Sequence, residues 1–273
     1  MSESQTPDKA LVGRVAIILG AGRSGSIGAA IARRFGLEGA SVVVSDWSPA
    51  EGKASSDRAG QLDRVVSSLR TDGLRVIGVP ADVTSNRSLE ALTGATQREF
   101  GRVDAVVNCA AAARGRDRVP LIHLSQVEWD RVMRINLRGA FLVLRHFSRV
   151  LVAQGEGGSL LSISSLDGKL GSPNSAAYGS SKAALQALTA SLSQELGPYG
   201  IRANCICPGL IDTPRLNGMP DEEKRLYISQ NVPLDRAGTP DDVASLAVFL
   251  SSPQADWISG QSWNVDGGQL SIR

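Results

Sequence analysis

The sequence reads Val15-Ala16-Ile17-Ile18-Leu19 and then Gly20-Ala21-Gly22-Arg23-Ser24-Gly25-Ser26-Ile27-Gly28, and this stretch decides the fold. The unbroken apolar run predicts a buried strand, while Ile27, Ile31 and Phe35 recur at helical spacing. Glycines between a strand and a helix let the backbone turn tightly and approach a pyrophosphate, which the free amides of the helix N-terminus receive. We interpret the stretch as a dinucleotide-binding βα unit, with a merely flexible connection as the alternative.

Strand-like and helix-like segments continue to alternate along the chain. Further strands are predicted at residues 41–46, 75–82, 103–108, 158–165, 201–208 and 258–266. Helices are predicted near residues 59–72, 85–100, 125–152, 175–197 and 240–251, and cap residues at Ser125 and Thr239 mark two of their starts. Repeated βα units need right-handed crossovers and a parallel sheet. We therefore predict an α/β fold, a single-domain Rossmann-like doubly wound sheet of about seven parallel strands with helices on both faces. This domain should span residues 13–273, after a flexible segment at residues 1–12.

Composition narrows the range of partners. The chain carries 29 Lys and Arg against 27 Asp and Glu, a formal charge of +2, which gives no electrostatic basis for binding nucleic acid or an anionic membrane surface. Cys109, Cys205 and Cys207 lack metal-ligand spacing, and His123 and His146 lie far apart, so we predict reduced thiols and no metal. Without a signal peptide or an 18-residue apolar run, we expect a soluble, cytoplasmic protein with a small-molecule substrate.

An acidic residue bears on the choice of dinucleotide. Asp46 ends the second predicted strand, 18 residues after Gly28, where a carboxylate can accept hydrogen bonds from both hydroxyls of the adenosine ribose. The same carboxylate would repel a 2′-phosphate, so the sequence favours NAD over NADP. Arg23 is the counterargument, because a guanidinium in the glycine-rich turn could bind that phosphate.

A tyrosine and a lysine stand four residues apart in the helix predicted near 175–197. This spacing puts Tyr178 and Lys182 on one helix face. Tyrosine ordinarily ionises near pH 10, about three units too high for a base at neutral pH. An ammonium about 4 Å away stabilises a phenolate by about 4 kcal/mol at an effective dielectric near 20, which is roughly what that task requires. The alternative is an ordinary surface pair.

Other motifs set this pair in context. Ser162-Ile163-Ser164-Ser165-Leu166-Asp167-Gly168 ends the preceding strand, and Ser165 lies 13 positions before Tyr178. With the glycine-rich turn, these residues resemble the short-chain dehydrogenase/reductase family, and the resemblance runs from about Gly13 to Gly268. Four more motifs stand in family order, namely Asp82-Val83, Asn108-Cys109-Ala110, Met133-Arg134-Ile135-Asn136 and Pro208-Gly209-Leu210-Ile211-Asp212-Thr213.

The resemblance implies roles for four residues. Tyr178 is similar to the family's catalytic acid/base, and Lys182 to the residue that promotes its ionisation and binds the nicotinamide ribose. Ser165 resembles the donor that positions the substrate oxygen, and Asn136 the residue that holds a water in the proton relay. Ser164 competes with Ser165, but the 13-residue spacing favours Ser165.

The resemblance also implies a set of cofactor contacts. Asp82 and Val83 are similar to adenine contacts, and Ile211 and Thr213 to residues that hold the nicotinamide carboxamide. The full set of implied cofactor residues is Gly20, Arg23, Ser26, Ile27, Gly28, Asp46, Asp82, Val83, Asn108, Ala110, Tyr178, Lys182, Pro208, Ile211 and Thr213.

Two motifs depart from the family pattern. Gly20 and Gly28 are eight residues apart where the family has six, and Ser26 stands where the middle glycine is expected. The family's Asn-Asn-Ala-Gly motif is here Asn108 followed by Cys109-Ala110-Ala111. We expect a longer and differently bent pyrophosphate loop.

The function implied is an NAD-dependent hydride transfer between nicotinamide and a secondary alcohol or ketone, on a sugar, a polyol or an anionic hydroxy compound. An NADP-dependent carbonyl or 3-oxoacyl reductase is the alternative enzyme, and a non-catalytic dinucleotide-binding protein the alternative of another class. The resemblance also implies a homotetramer, with the helical segment from Glu128 to Val152 and the tail from Trp257 to Gly268 at subunit contacts.

Two segments bear on the substrate. A basic cluster formed by Arg114, Arg116, Arg118, Lys169 and Arg215 is either a pocket rim that attracts an anionic substrate or a self-neutralised surface cluster at a subunit contact. Residues 216–232 are either a mobile lid or an ordinary surface helix.

Overall fold

A seven-stranded parallel sheet forms the centre of the molecule in the computed structural model, which describes residues 9–47, 60–216 and 219–271. The strand order is β3-β2-β1-β4-β5-β6-β7. The strands are β1 (Val15–Leu19), β2 (Ser41–Ser45), β3 (Val76–Gly78), β4 (Ala105–Asn108), β5 (Gly158–Ile163), β6 (Ile201–Pro208) and β7 (Ser262–Val265). The chain reverses direction across the sheet between β1 and β4, which is the switch point where such folds bind ligands. The predicted α/β doubly wound, single-domain fold is confirmed.

Helices cover both faces of the sheet. They are α1 (Ile27–Leu37), α2 (Gln61–Thr71), α3 (Asn86–Phe100), α4 (Gln126–Met133), α5 (Ala140–Gln154), α6 (Ala176–Leu196), α7 (Asp221–Asn231) and α8 (Pro240–Ser251). Among the residues described, none of these helices is long and apolar enough to cross a membrane.

Strand β1 shows why the core has two halves. All five of its residues are buried, and their side chains alternate between the two faces. Ile18 belongs to the core that contains Phe35 of α1, while Ile17 belongs to the core that contains Phe147 of α5. A parallel strand covered on both faces needs apolar residues at every position, which explains the unbroken run in the sequence.

Strand ends differ from the predicted bounds more than strand centres do. The strand predicted at 75–82 covers only Val76–Gly78, and the one predicted at 258–266 covers only Ser262–Val265. Gly260, just before β7, has a φ of +77°, which an extended strand does not adopt. That turn therefore precedes the start of β7. Beyond β3, Val79 N and Ala81 N still donate to Val44 O and Asp46 O, so irregular backbone and not a lack of bonding ends the strand.

The helix predicted at 125–152 is interrupted by one wider turn. Residues Arg134–Gly139 form a π-helix between α4 and α5. Such turns occur frequently at functional sites, and this one contains Asn136.

The two predicted helix starts are both present. Thr239 and Asp242 form a reciprocal capping box on α8. Ser125 accepts a hydrogen bond from Glu128 N at the start of α4, but the Glu128 carboxylate accepts one from Arg131 Nε at 2.8 Å. The second half of that box is thus replaced by an ion pair.

Residues just before the predicted start at residue 13 pack against the domain. Leu11 is buried in the core, and its N–H donates to Glu38 O at 2.9 Å. The segment proposed to be flexible, 1–12, therefore includes packed residues, and its residues 1–8 lie outside the described part of the chain.

The segment at 216–232, predicted to be either a lid or a surface helix, contains the helix α7.

Candidate active site

The glycine-rich turn lies between β1 and α1 at the carboxyl edge of the sheet. Gly20 has a φ of +74°, and a Cβ placed on it would lie 2.6 Å from Ala110 N. A Cβ on Gly28 would lie 2.5 Å from Gly20 O. Ser26 caps α1, with its Oγ accepting from Ala29 N at 3.1 Å. The turn is thus closely packed on its own backbone, as a pyrophosphate cradle requires.

The Asp46 carboxylate stands directly over this turn. Its Oδ2 accepts a hydrogen bond from Gly22 N at 2.8 Å, and its Oδ1 accepts one from Trp47 N at 2.7 Å. A Cβ on Gly22 would lie 2.6 Å from Asp46 Cβ. A side chain at Gly22 would therefore displace the carboxylate, and the residues present fit a dinucleotide at this edge.

The ends of β3 and β4 supply further polar groups. Asp82 Oδ1 accepts hydrogen bonds from the N–H and the hydroxyl of Thr84 at 2.8 and 2.7 Å, which fixes the turn before α3. Asn108 is buried and its Oδ1 accepts from Ala110 N at 3.2 Å. Val83 packs against Gly139, where a Cβ would come within 2.9 Å of Val83 Cγ2.

The segment after β6 faces the same turn. β6 ends at Pro208, and Ile211 is buried beside Gly238. Thr213 O accepts from Leu216 N at 2.9 Å in a short turn. Pro214 lies opposite Gly25, where a Cβ would be 3.4 Å from Pro214 Cγ. The predicted carboxamide segment therefore lies across from the predicted pyrophosphate turn.

Asn136 connects three elements of the site. Its Oδ1 accepts from Ala112 N at 2.7 Å, and its Nδ2 donates to Ser181 Oγ at 3.0 Å. Ser181 Oγ in turn donates to Tyr178 O at 2.7 Å. Asn136 is almost fully buried, so these bonds fix the π-helical turn to the loop after β4 and to α6.

Tyr178 and Lys182 share one face of α6. Lys182 Nζ lies 5.7 Å from the centroid of the Tyr178 ring and donates to Ile163 O at 2.7 Å. Burial lowers the pKa of Lys182, the charge of Tyr178 acts in the opposite direction, and the Arg215 guanidinium lowers it further. The ammonium is thus held at the end of β5 with an increased tendency to release its proton.

Ser164 and Ser165 have different environments. Ser164 Oγ donates to Lys182 O at 3.0 Å and accepts from Gln186 Nε2 at 3.0 Å, and the residue is buried. Ser165 Oγ accepts from Asp167 N at 3.1 Å, and none of the described residues accepts its proton. Ser165 can therefore donate to a ligand, whereas Ser164 is committed to the backbone of α6.

The predicted basic cluster divides into three parts. Arg114 and Arg116 are exposed. Lys169 Nζ donates to Ser262 O and to the side chain of Asn264, at 2.7 and 2.6 Å. Arg118 and Arg215 instead lie against the ring of Tyr178, with their guanidinium carbons 4.3 and 5.1 Å from its centroid.

Several partners of the site were not identified from the sequence. Ser181 joins Asn136 to α6, and it lies inside the Tyr178 to Lys182 stretch, three residues after the tyrosine. Asp167 and Ser175, which both contact Arg118, belong to the serine loop and the start of α6. Position along the chain was the only available signal for them.

The cysteine that replaces a family asparagine is a neutral group. Burial raises the pKa of the Cys109 thiol to about 12. The thiol therefore stays protonated at neutral pH, which argues against a nucleophilic role.

This fold and this edge of the sheet define an α/β dinucleotide-binding oxidoreductase. Residues 20–269 match the family model described as enoyl-(acyl carrier protein) reductase. The chain is 37% identical to (3R)-3-hydroxyacyl-CoA dehydrogenase of Rattus norvegicus, over 93% of this chain and 96% of that protein. It is 33% identical to galactitol 2-dehydrogenase of Agrobacterium fabrum, again over 93% and 96%.

A solved structure agrees with these matches. The short-chain type dehydrogenase/reductase from Mycobacterium ulcerans superimposes with a TM-score of 0.86 at 30% identity, over 95% of this chain and 90% of that one. The protein belongs to the short-chain dehydrogenase/reductase family. It is an NAD(P)-dependent oxidoreductase that acts on alcohol and ketone groups.

Proposed function

We propose that the protein is an NAD-dependent dehydrogenase of a secondary alcohol, with Tyr178, Lys182 and Ser165 as its catalytic residues and Asn136 as the residue that positions α6. The arrangement of Tyr178 and Lys182 on one face of α6, with Lys182 bonded to the end of β5 just before the serines, carries this proposal. When bound, the nicotinamide supplies the hydride acceptor, or the hydride donor in the reverse direction.

Each residue has a distinct task in this mechanism. Ser165 donates a hydrogen bond to the substrate oxygen and stabilises negative charge there. The Tyr178 oxygen accepts the hydroxyl proton during oxidation and returns it during reduction. Lys182 stabilises the tyrosinate, and its lowered pKa supports its participation in passing the proton onward. Asn136 holds α6 in place through Ser181.

The preference for NAD is proposed from Asp46. Its carboxylate lies at the end of β2 beside the turn amide of Gly22, where it would meet the adenosine ribose. A 2′-phosphate at that point would be repelled. Arg23 is exposed in the same turn and supports the alternative, an NADP-dependent carbonyl or 3-oxoacyl reductase. We propose the other cofactor contacts as the sequence implied them, from Gly20 to Thr213.

The names of the relatives do not identify one substrate for this chain, since one is named for a hydroxyacyl thioester and another for a polyol. We propose a secondary alcohol as the shared chemistry. We also propose a homotetramer, because Val127 and Phe141 on the α4 to α5 segment and Trp257 after α8 are exposed apolar residues. The free thiols of Cys109, Cys205 and Cys207 support a cytoplasmic location. Light scattering on a sizing column measures that assembly.

The test is a parallel assay of NAD and NADP with neutral polyols, simple secondary alcohols and hydroxy acids. The Tyr178→Phe variant serves as the blank, because it removes only the hydroxyl. Turnover with NAD that this variant loses would support the proposal. Turnover with NADP alone would favour the reductase alternative, and tight dinucleotide binding without turnover would favour a binding protein.

A further inference from the structure

Three cationic side chains surround the ring of Tyr178. The guanidinium carbons of Arg118 and Arg215 lie 4.3 and 5.1 Å from the ring centroid, and Lys182 Nζ lies 5.7 Å from it. Cations stack on aromatic faces for modest gains. Three around one ring, however, also repel one another, so the local balance of charge decides what this site can bind.

The charge of Arg118 is offset by neighbouring carboxylates. Its Nη1 donates to Ser175 Oγ at 2.6 Å and to Asp167 Oδ2 at 3.3 Å, and its Nε lies 3.4 Å from Asp117 Oδ2. Asp117 is buried and also pairs with Arg131 at 2.9 Å. Arg118 is therefore a fixed structural cation that supports the Tyr178 ring.

Arg215 has no such partner in the part of the chain that the structure describes. Its Nη1 donates to the neutral carbonyl of Ala112 at 2.9 Å, and no described carboxylate lies within ion-pair distance. The residue is half-buried in the short helix Pro214–Leu216. With Nη1 occupied, the Nε and Nη2 edge remains, and that edge binds a carboxylate through two parallel hydrogen bonds.

A ligand anion would also relieve repulsion inside the site. Lys182 is buried, and its ammonium donates to a carbonyl oxygen and not to a carboxylate. The Arg215 charge lowers the pKa of Lys182, which reflects the closeness of the two cations. A negative group bound to Arg215 would compensate both.

We propose that the alcohol substrate carries a carboxylate and that Arg215 binds it beside Tyr178. The substrate class is then a hydroxy acid or the corresponding oxo acid. This inference rests on the proposed dehydrogenase function, because it takes Tyr178 as the reacting residue. A single unpaired guanidinium suits a monoanion better than a phosphate dianion.

Binding of unreactive carboxylates tests the site without turnover. Butyrate, cyclohexanecarboxylate and benzoate are titrated calorimetrically into protein saturated with NADH, each beside its neutral carboxamide. We expect at least one acid to bind about tenfold or more tighter than its amide, given the strength of charge-assisted hydrogen bonds. Arg215→Met should abolish that difference, and Arg215→Lys should restore part of it.

The matched control is Arg225→Met, which removes an exposed cation from α7. It should leave the preference for acids unchanged. If none of the three acids binds more tightly than its amide in the wild type, or if the preference survives in Arg215→Met, the proposal is overturned.

Turnover then separates this inference from the function on which it rests. The substrates are 4-hydroxycyclohexanecarboxylate, its methyl ester and a neutral secondary alcohol. Loss of activity in Arg215→Met on the acid alone, mainly through KM, supports the carboxylate site. An equal loss of activity on all three substrates, with a shifted pH profile, would mean that Arg215 acts on Tyr178. That result would overturn the carboxylate site. The two proposals also fail separately. If acids bind through Arg215 but no turnover depends on Tyr178, the carboxylate site is supported and the dehydrogenase function is contradicted.

Discussion

The carboxylate of Asp46 accepts a hydrogen bond from the backbone N–H of Gly22, with 2.8 Å between Oδ2 and N. This bond ties the end of β2 to the glycine-rich turn after β1. One side chain therefore shapes the turn and carries the negative charge proposed to exclude a 2′-phosphate. The two effects can be separated by substitution.

Asp46→Asn should keep an oxygen for Gly22, give up the acceptor for Trp47 N and lose the charge. NADPH affinity should therefore rise about tenfold while NADH affinity falls only modestly. Asp46→Ala should lose both and weaken NADH binding further. Fluorescence titration with NADH and NADPH measures these affinities. Asp63→Asn, which changes an exposed acid on α2, is the control. Unchanged selectivity in Asp46→Asn would assign the discrimination to another residue.

Lys182→Met should lower kcat by about a hundredfold and move the acidic limb of the oxidation profile to higher pH. Methionine fills a similar volume but removes the buried cation that we propose acts on Tyr178. Burial lowers the pKa of Lys182, so its ammonium should lose its proton at a lower pH than that of an exposed lysine. The activity of the wild type should therefore fall on the alkaline side at that lower pH. That alkaline limb should be absent from the variant.

The measurement is kcat/KM across the pH range in which the protein stays folded, with Arg225→Met as the control for loss of a cation elsewhere. An acidic limb at the same pH in Lys182→Met would show that the limb reports a different group.

The two adjacent serines should respond differently to substitution. Ser165→Ala removes a hydroxyl whose proton no described residue accepts, so kcat should fall by about a hundredfold. It also removes the acceptor for Asp167 N, a half-buried cap whose loss should cost about 0.5 kcal/mol. Ser164→Ala removes the bond to Lys182 O, so the free energy of unfolding should fall by about 1 to 2 kcal/mol. Urea unfolding and turnover, measured on both variants, give the comparison. The reverse pattern would make Ser164 the catalytic serine.

The capping box on α8 gives a pH-dependent contribution to stability. The hydrogen bond from Arg236 and the backbone N–H of Thr239 lower the pKa of Asp242 well below its ordinary value. A depressed carboxyl pKa stabilises the fold above the unfolded pKa of about 3.9, and this stabilisation is lost as the pH falls below it.

Asp242→Asn should therefore cost about 1 kcal/mol at neutral pH. The difference from the wild type should shrink as the solution is acidified. Asp241→Asn, in the same first turn, controls for the loss of a negative charge at the helix N-terminus. Equal losses in the two variants would show that the capping box adds nothing specific.

The parts of the fold that the sequence predicts best are those with one dominant cause. Strand β1 is covered on both faces, so its apolar run identified it to the residue. The ends of β7 depend on a local turn at Gly260, which hydrophobic patterning does not encode. The π-helical turn around Asn136 was not predicted, because the apolar pattern over 125–152 was read as one continuous helix and the inserted residue was not located in it.

Sequence patterns also fail to predict which partners the charged side chains of the site contact. The motifs placed Tyr178 and Lys182 together because both lie on one helix. The sequence grouped Lys169 with Arg215, yet Lys169 contacts β7 and Arg215 contacts Tyr178. Which partner a long side chain reaches depends on contacts between distant segments, and a single sequence does not contain that information.

The glycine-rich turn supplies a pair of variants that separates strain from crowding. Gly20 and Gly73 both have positive φ, +74° and +77°. A Cβ on Gly73 meets nothing within 4 Å, whereas one on Gly20 lies 2.6 Å from Ala110 N. Gly73→Ala should cost about 1 kcal/mol for the left-handed backbone alone. Gly20→Ala adds a clash that must push the loop after β4 away from the turn.

We therefore expect Gly20→Ala to lose clearly more stability than Gly73→Ala and to weaken NADH binding at least tenfold, while Gly73→Ala binds NADH normally. Urea unfolding and NADH fluorescence titration measure the two effects on the same preparations. NADH binding that survives in Gly20→Ala would mean that the dinucleotide does not rest on this turn, because the cradle would be altered without consequence for the ligand.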